Sequence, residues 1–161
     1  MSLKLIYAII LTLLPGIELR IGLPLAIVYA LESSIPIYLV FILILLINIL
    51  LVFFVFFFLD NIHSYLLKTK IYRKIFERYL KRFQKRADKF GKKHNLLEFS
   101  ALVLFVAIPL PGTGAWSGCL LAWLLNLNRK RSILAISLGI LIAGTIILLG
   151  SLGFIELLSR F

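Results

Sequence analysis

The sequence predicts an all-α integral membrane protein. Its plan is an inverted repeat of a re-entrant helical hairpin plus a transmembrane helix, with an amphipathic basic helical linker between the two halves. Three observations carry this prediction: the apolar residues come in long blocks, one short phrase occurs twice, and the positive charge is concentrated in two stretches.

The 161 residues are 61% hydrophobic, with a mean hydropathy of +1.05. That is too apolar for a water-soluble domain. Blocks of about 20 apolar residues are what a hydrocarbon core of roughly 30 Å asks of a helix, so residues 1–161 read as a single membrane domain. A cleaved signal peptide at Met1 to Leu14 is not expected, because its only charge is Lys4 and no small-residue cleavage site follows.

The repeated phrase is Pro15-Gly16 followed by Gly22, Leu25 and Ala26, and then Pro111-Gly112 followed by Gly118, Leu121 and Ala122. Each second-copy residue stands 96 positions after the first. In the first repeat, residues 1–59, an apolar block from Leu3 to Leu14 is long enough for only half a bilayer. Proline then removes a backbone donor and glycine allows a conformation that other residues avoid. A second short arm carries Glu18 and Arg20. This predicts a re-entrant hairpin over 3–31, with one kinked span from Leu3 to Ala30 as the alternative. Ile35 to Leu59 follows as an uninterrupted transmembrane helix, 35–59, whose one strongly polar residue is Asn48. Such a residue is expected to hydrogen-bond a neighbouring helix, with a substrate contact as the alternative.

From 60 to 95 the composition changes. Twelve of the 18 Lys and Arg lie between Lys68 and Lys93. Along 60–95 Ile62, Tyr65, Leu66, Tyr72, Ile75, Phe76, Tyr79, Leu80, Phe83 and Phe90 recur at helical spacing, with the basic residues in the gaps. This predicts amphipathic basic helices on the membrane surface. Nucleic acid is the competing reading of a basic stretch, but spans on both sides favour the cytoplasmic lipid interface. His63 and His94 lie too far apart to read as metal ligands, and Cys119 is alone, so no disulfide, metal or cofactor is expected.

The second repeat, 96–161, opens with a hairpin over 96–125, broken by Pro109, Pro111, Gly112, Gly114 and Gly118. A transmembrane helix over 133–155 follows. It carries Gly139, Ala143 and Gly144, small residues that suit a close helix contact and here a candidate homodimer seam. The turn 126–132 holds Arg129, Lys130 and Arg131. If it and 60–95 are both cytoplasmic, the two hairpins open to opposite sides. Broken helices in inverted repeats are an architecture of secondary transporters.

Non-helical backbone at membrane depth needs protein or water around it. The breaks at Pro15-Gly16 and Pro111-Gly112 are therefore expected to face each other across a cavity. Each starts a half-helix whose first amides attract anions, with Thr113, Gly114, Trp116 and Ser117 beside the second. Intramembrane ionisable groups mark ion or substrate paths. Arg20 offers a forked donor set to phosphate or carboxylate, and Glu18 is the proton-coupling candidate. Two residues apart on a helix, these side chains project about 200° apart and each needs another partner. The substrate-binding candidates are thus Glu18, Arg20, Pro15, Gly16, Pro111, Gly112, Thr113, Gly114, Trp116 and Ser117.

Glu18-Leu19-Arg20 with Pro24, and above all Ala107-Ile108-Pro109-Leu110-Pro111-Gly112-Thr113-Gly114-Ala115-Trp116, resemble the prokaryotic family described as putative small multi-drug export proteins. One departure is Ile21, with Gly22 following, where the family pattern has glycine directly after the arginine. The family is more distantly similar to the DedA and VTT membrane proteins. Those have facing re-entrant hairpins and are linked to moving lipid carriers and phospholipids between leaflets.

The resemblance and the positive character of the site together imply a transporter or flippase of an anionic amphiphile, either a polyprenyl-phosphate carrier or a phospholipid. A proton or sodium ion is the coupling ion, and the location is a prokaryotic plasma membrane. A proton-coupled exporter of cationic compounds is the second reading, and a membrane scaffold is the third. No catalytic constellation occurs, so no enzyme is expected. Two full spans enclose too little by themselves, which points to a homodimer.

Overall fold

The computed structural model describes residues 3–61, 95–110 and 112–159. The basic linker, both histidines and Pro111 lie outside the described residues. What is described is helical: α1 (Leu3–Leu13), α2 (Glu18–Glu32), α3 (Ile37–Asn61), α4 (Asn95–Ala107), α5 (Ala115–Leu124) and α6 (Arg129–Ser159). Two of these, α3 and α6, are long and apolar enough to cross a membrane. At 1.5 Å per residue the 11, 15, 13 and 10 residues of α1, α2, α4 and α5 reach only about 15 to 23 Å.

The chain turns back at Gly16 rather than running on as one kinked rod. Gly16 has a φ of 87° and Gly112 one of 83°, a left-handed conformation that costs a side-chain-bearing residue about 1–2 kcal/mol. A Cβ at either position would meet nothing within 4 Å. Conformation, not space, therefore requires these two glycines. The carbonyl of Leu14 accepts the N–H of both Ile17 and Glu18, which closes the first turn. At the far end of the pair, Lys4 and Glu32 form an ion pair.

Between helices of this composition, close contact comes from small residues rather than from burial against water. Gly22 and Gly118, which share the 96-residue spacing, both play that part. A Cβ on Gly22 would stand 2.0 Å from Thr12 Oγ1 and 2.9 Å from the Ala8 carbonyl on α1. One on Gly118 would stand 2.7 Å from Val106 on α4. The matched Ala26 and Ala122 are both buried. Around them lie Leu23, Ile27, Ile44, Val52 and Ile136, all fully buried. Cys119 is also buried, its Sγ 3.8 Å from the Val52 carbonyl on α3.

The halves differ in two ways. The first arm pair is closed, with α1 lying chiefly along α2, whereas α4 lies chiefly along α6. Gly139 explains this: Val106 and the Val103 carbonyl of α4 sit against it, and α3 contains no glycine to offer the same groove. In addition, α5 is shorter than α2 by more than a helical turn. Both end in the same cap, with Ser34 and Asn126 left-handed. The N–H of Ile35 and of Leu127 donate back to the carbonyls of Ala30 and Ala122, the bond of a Schellman motif.

The expected dimer seam at Gly139 to Gly144 is corrected by the same contacts. Gly139 is taken by α4, and Gly144 by Leu45, Leu19 and Phe41. Both lie inside the chain. The helix over 133–155 also begins a turn earlier, at Arg129. There Asn128 Oδ1 accepts the N–H of Arg131, an N-cap interaction that draws the basic turn into the helix.

Candidate functional site

The start of α2 and the start of α5 meet. The N–H of Ala115 donates to Glu18 Oε2 at 2.8 Å and that of Trp116 to Oε1 at 3.1 Å. A carboxylate on the first amides of a helix is the favoured partner of that terminus. Here it comes from 97 residues away in the sequence. Gly114 makes it fit, since a Cβ there would lie 2.1 Å from Glu18 Oε2 and its φ is 136°. Glu18 is itself left-handed, with φ 45°, and buried. The 200° separation from Arg20 assumed ordinary helical geometry at residue 18, so it does not hold. Both side chains reach the same segment, 113–116.

Arg20 donates from Nη2 to Thr113 Oγ1 at 2.5 Å. The Thr113 oxygen also lies 2.7 Å from the Ile108 carbonyl and 2.9 Å from that of Leu110, so its proton goes to the backbone. Arg20 Nε and Nη1 are buried and have no hydrogen-bond partner among the described residues, and the same is true of Asn48 Nδ2 and Oδ1 on α3. These two residues share one small cavity with Glu18, Gly114 and apolar residues of α6, including Ile140, Ala143 and Ile147. Its volume of about 20 Å³ has room for roughly one water-sized group.

Several expectations are corrected by this geometry. The amides that start α5 do not await a substrate anion, because Glu18 already holds them. At the start of α2, the N–H of Glu18 and of Arg20 are spent on the Leu14 and Ile17 carbonyls. Pro15, Gly16 and Gly112 shape the turns but are exposed and do not line the cavity. Thr113 and Ser117 are not spare donors either: the Ser117 hydroxyl faces the carbonyl of Gly114 at 3.4 Å. Trp116 does not point into the cavity with its indole. Its Nε1–H donates to the Leu13 carbonyl at 3.1 Å, meeting a group at the open end of α1.

Asn48 is the residue that sequence reading placed differently. It makes no hydrogen bond to a neighbouring helix, although it is 1% exposed. The signal was there: a lone amide in the middle of a 25-residue apolar block is costly unless something meets it.

A second polar cluster closes the other end of the α3–α6 pair. Asp60 pairs with Arg129 and accepts Trp123 Nε1–H at 3.1 Å, and Arg129 stacks over the Phe56 ring at 4.2 Å. Asp60 is exposed, Trp123 and Arg129 are half-buried and Phe56 is buried, a gradation that suits a headgroup region, where aromatic rings and cations anchor helix ends.

Comparison with known proteins decides the family. The family model described as "putative small multi-drug export protein" matches residues 18–146. This chain belongs to that family. The match begins at Glu18 and takes in Arg20, Asn48 and the whole 113–116 segment. No curated protein and no solved structure matches the chain. For this family member the site is thus a buried clamp between α2 and α5, with an adjoining set of unpaired polar atoms.

Proposed function

We propose that the protein is a membrane transporter or flippase of an anionic amphiphile, a polyprenyl-phosphate carrier or a phospholipid, with Glu18 as the proton-coupling residue. The observation that carries this reading is the division of labour between the two ionisable groups. Glu18 has both oxygens committed to amides, whereas Arg20 keeps two buried nitrogens without partners. The unspent hydrogen-bonding capacity of the site is therefore largely donor and cationic, which suits an oxoanion headgroup. Arg20 and Asn48 hold the headgroup, Thr113 orients Arg20, Gly114 admits Glu18, and Trp116 fixes the position of α5. Pro15, Gly16 and Gly112 set the two turns.

The architecture in this reading is an inverted repeat of two re-entrant hairpins. It is supported by helices too short to cross, by Gly16 and Gly112 in matching conformations, and by Gly22 and Gly118 in matching close approaches. The basic segments 60–95 and 126–132 stay cytoplasmic in a prokaryotic plasma membrane, and two copies of the chain form the working unit. Any kinship with DedA and VTT proteins lies in this hairpin plan. Coupling follows from hydrogen bonding. A protonated Glu18 is no longer a two-acceptor carboxylate, so one amide bond breaks and the start of α5 opens to the headgroup. With room for only a water-sized group at present, the arrangement is a closed one, and transport requires α2 and α6 to part.

The family description favours a second reading, proton-coupled export of cationic compounds with Glu18 as the substrate carboxylate. That reading must first strip Glu18 from two amides beside a guanidinium. Liposomes holding the purified protein separate the two. The expected result is leaflet exchange of labelled polyprenyl phosphate or phospholipid that Arg20→Ala abolishes. Efflux of a cationic dye that survives Arg20→Ala and is lost in Glu18→Gln would instead establish the second reading. A chain that moves neither class is left as a scaffold.

A further inference from the structure

We infer that Asn48 makes the site selective for a phosphate group that still carries a hydroxyl, that is, a phosphate monoester or inorganic phosphate rather than a phosphodiester. The inference rests on the anion reading of Arg20 and specifies which anion.

Asn48 sits in the middle of α3, 1% exposed, with both its amide nitrogen and its amide oxygen unpartnered. The cavity it lines also holds Arg20, whose Nε and Nη1 are likewise buried and unpaired. Buried polar atoms are satisfied as a rule, so four orphans at one cavity describe the complement of an absent ligand. Three of them donate: Arg20 Nε, Arg20 Nη1 and Asn48 Nδ2. One accepts: Asn48 Oδ1. A phosphodiester monoanion has acceptor oxygens only, and would leave Asn48 Oδ1 facing another acceptor. A monoester in its singly ionised form offers P–O⁻ to the guanidinium and P–OH to Asn48 Oδ1.

The walls point the same way. Leu19 and Val106, with Ile140, Ala143 and Ile147 of α6, form the apolar walls of the cavity and supply no competing side-chain donor for Asn48 Oδ1, and the Ala115 N–H beside them is already given to Glu18. The volume of about 20 Å³ takes one phosphoryl oxygen with its proton. The rest of the group lies towards Arg20 and Ile147, both only half-buried. The esterified oxygen of a lipid points away from the cavity, so a lipid headgroup and free phosphate present the same face to Asn48.

The test is binding to the full chain in nanodiscs, followed by tryptophan fluorescence. The probes are dodecyl phosphate, its methyl diester with the same tail, and inorganic phosphate. Wild type is expected to bind dodecyl phosphate roughly ten-fold more tightly than the diester, the loss typical of one hydrogen bond to a charged partner. Asn48→Leu is expected to erase that preference by weakening monoester binding alone, and to unfold at a higher temperature because two orphaned atoms are gone. Asn48→Thr, whose hydroxyl both donates and accepts, is expected to keep part of the preference. Inorganic phosphate competing with dodecyl phosphate marks the headgroup as sufficient; competition that needs the tail marks a lipid source.

Equal binding of monoester and diester by wild type overturns the inference while leaving the anion reading intact. So does a preference that persists in Asn48→Leu, or a higher unfolding temperature with no change in binding, which assigns the cavity to a water molecule. Arg20→Gln tests the parent reading separately: it is expected to weaken both esters, and anion binding indifferent to it overturns the transporter site itself.

Discussion

The contact between Glu18 and the start of α5 makes a demanding prediction about stability. Glu18→Ala removes an ionised acceptor from the N–H of Ala115 and of Trp116, at 2.8 and 3.1 Å. Hydrogen bonds between helices in membranes are worth only about 0.6 kcal/mol on average, because the unfolded chain in lipid also finds partners. Two ordinary bonds would therefore cost about 1 kcal/mol. These two are not ordinary: the acceptor is charged, the site is buried, and the donors are the orphans of a helix terminus. Bonds to charged groups run to roughly 1.5–3 kcal/mol each, so Glu18→Ala is expected to cost about 3–5 kcal/mol. Glu18→Gln keeps one acceptor and turns an –NH₂ towards the other amide, and should cost about 2 kcal/mol.

Equilibrium unfolding in mixed micelles measures both variants. Added formate supplies the control, since it fits the vacated carboxylate position. At ten times its dissociation constant it should return about 1.4 kcal/mol to the Ala variant and nothing to wild type. Gly114→Ala, which places a Cβ 2.1 Å from Glu18 Oε2, should destabilise as much as Glu18→Ala. A loss below about 1 kcal/mol for Glu18→Ala, with no formate effect, would refute the clamp.

Three further outcomes are expected. Trp116→Phe keeps the ring but loses the bond to the Leu13 carbonyl. It should cost about 1 kcal/mol, with faster hydrogen exchange confined to residues 11–18. Gly22→Ala drives a Cβ against Thr12 and the Ala8 carbonyl and should cost about 1–3 kcal/mol. Adding Thr12→Ala should restore only part of that, because the carbonyl remains. Gly16→Ala and Gly112→Ala should each cost about 1–2 kcal/mol from conformation alone. Asn at either position should be milder, since Asn tolerates the left-handed region, and equal penalties for Asn and Ala would show that something other than φ selects glycine there.

Much of the helical plan was legible because it depends on local chemistry. Pro15-Gly16, the apolar blocks and the spacing of Gly22 and Gly118 act within one or two turns of chain, so their consequences can be read in order. The pairing of Glu18 and Arg20 with residues 113–116 was half-legible: buried charges announce a need for partners, but nothing local says which. Residue 18 also departs from helical φ, which spoiled the angle on which the sequence argument relied. The partner of α4 was not legible. Gly139 looks the same in a list whether a second copy or Val106 fills it, and only the absence of glycine from α3 hints at unequal halves. Asn48 was visible as an anomaly, yet the loneliness of its amide is a property of three helices at once.

Four bonds, two from the α5 amides to Glu18, one from Arg20 to Thr113 and one from Trp116 to the Leu13 carbonyl, fasten the bend of the α1–α2 pair to the segment 113–116. At the opposite end that pair is held by an exposed ion pair between Lys4 and Glu32, which is worth little. Polar fastening is therefore concentrated at one end of the 15-residue α2, while its other end, about 22 Å away, is held by apolar packing of Ala26, Ile27, Tyr29 and Ala30. Because apolar contacts have no fixed direction, a tilt of about 10° about the polar fastening carries that far end roughly 4 Å, enough to admit a small polar group, while the fastening itself hardly shifts.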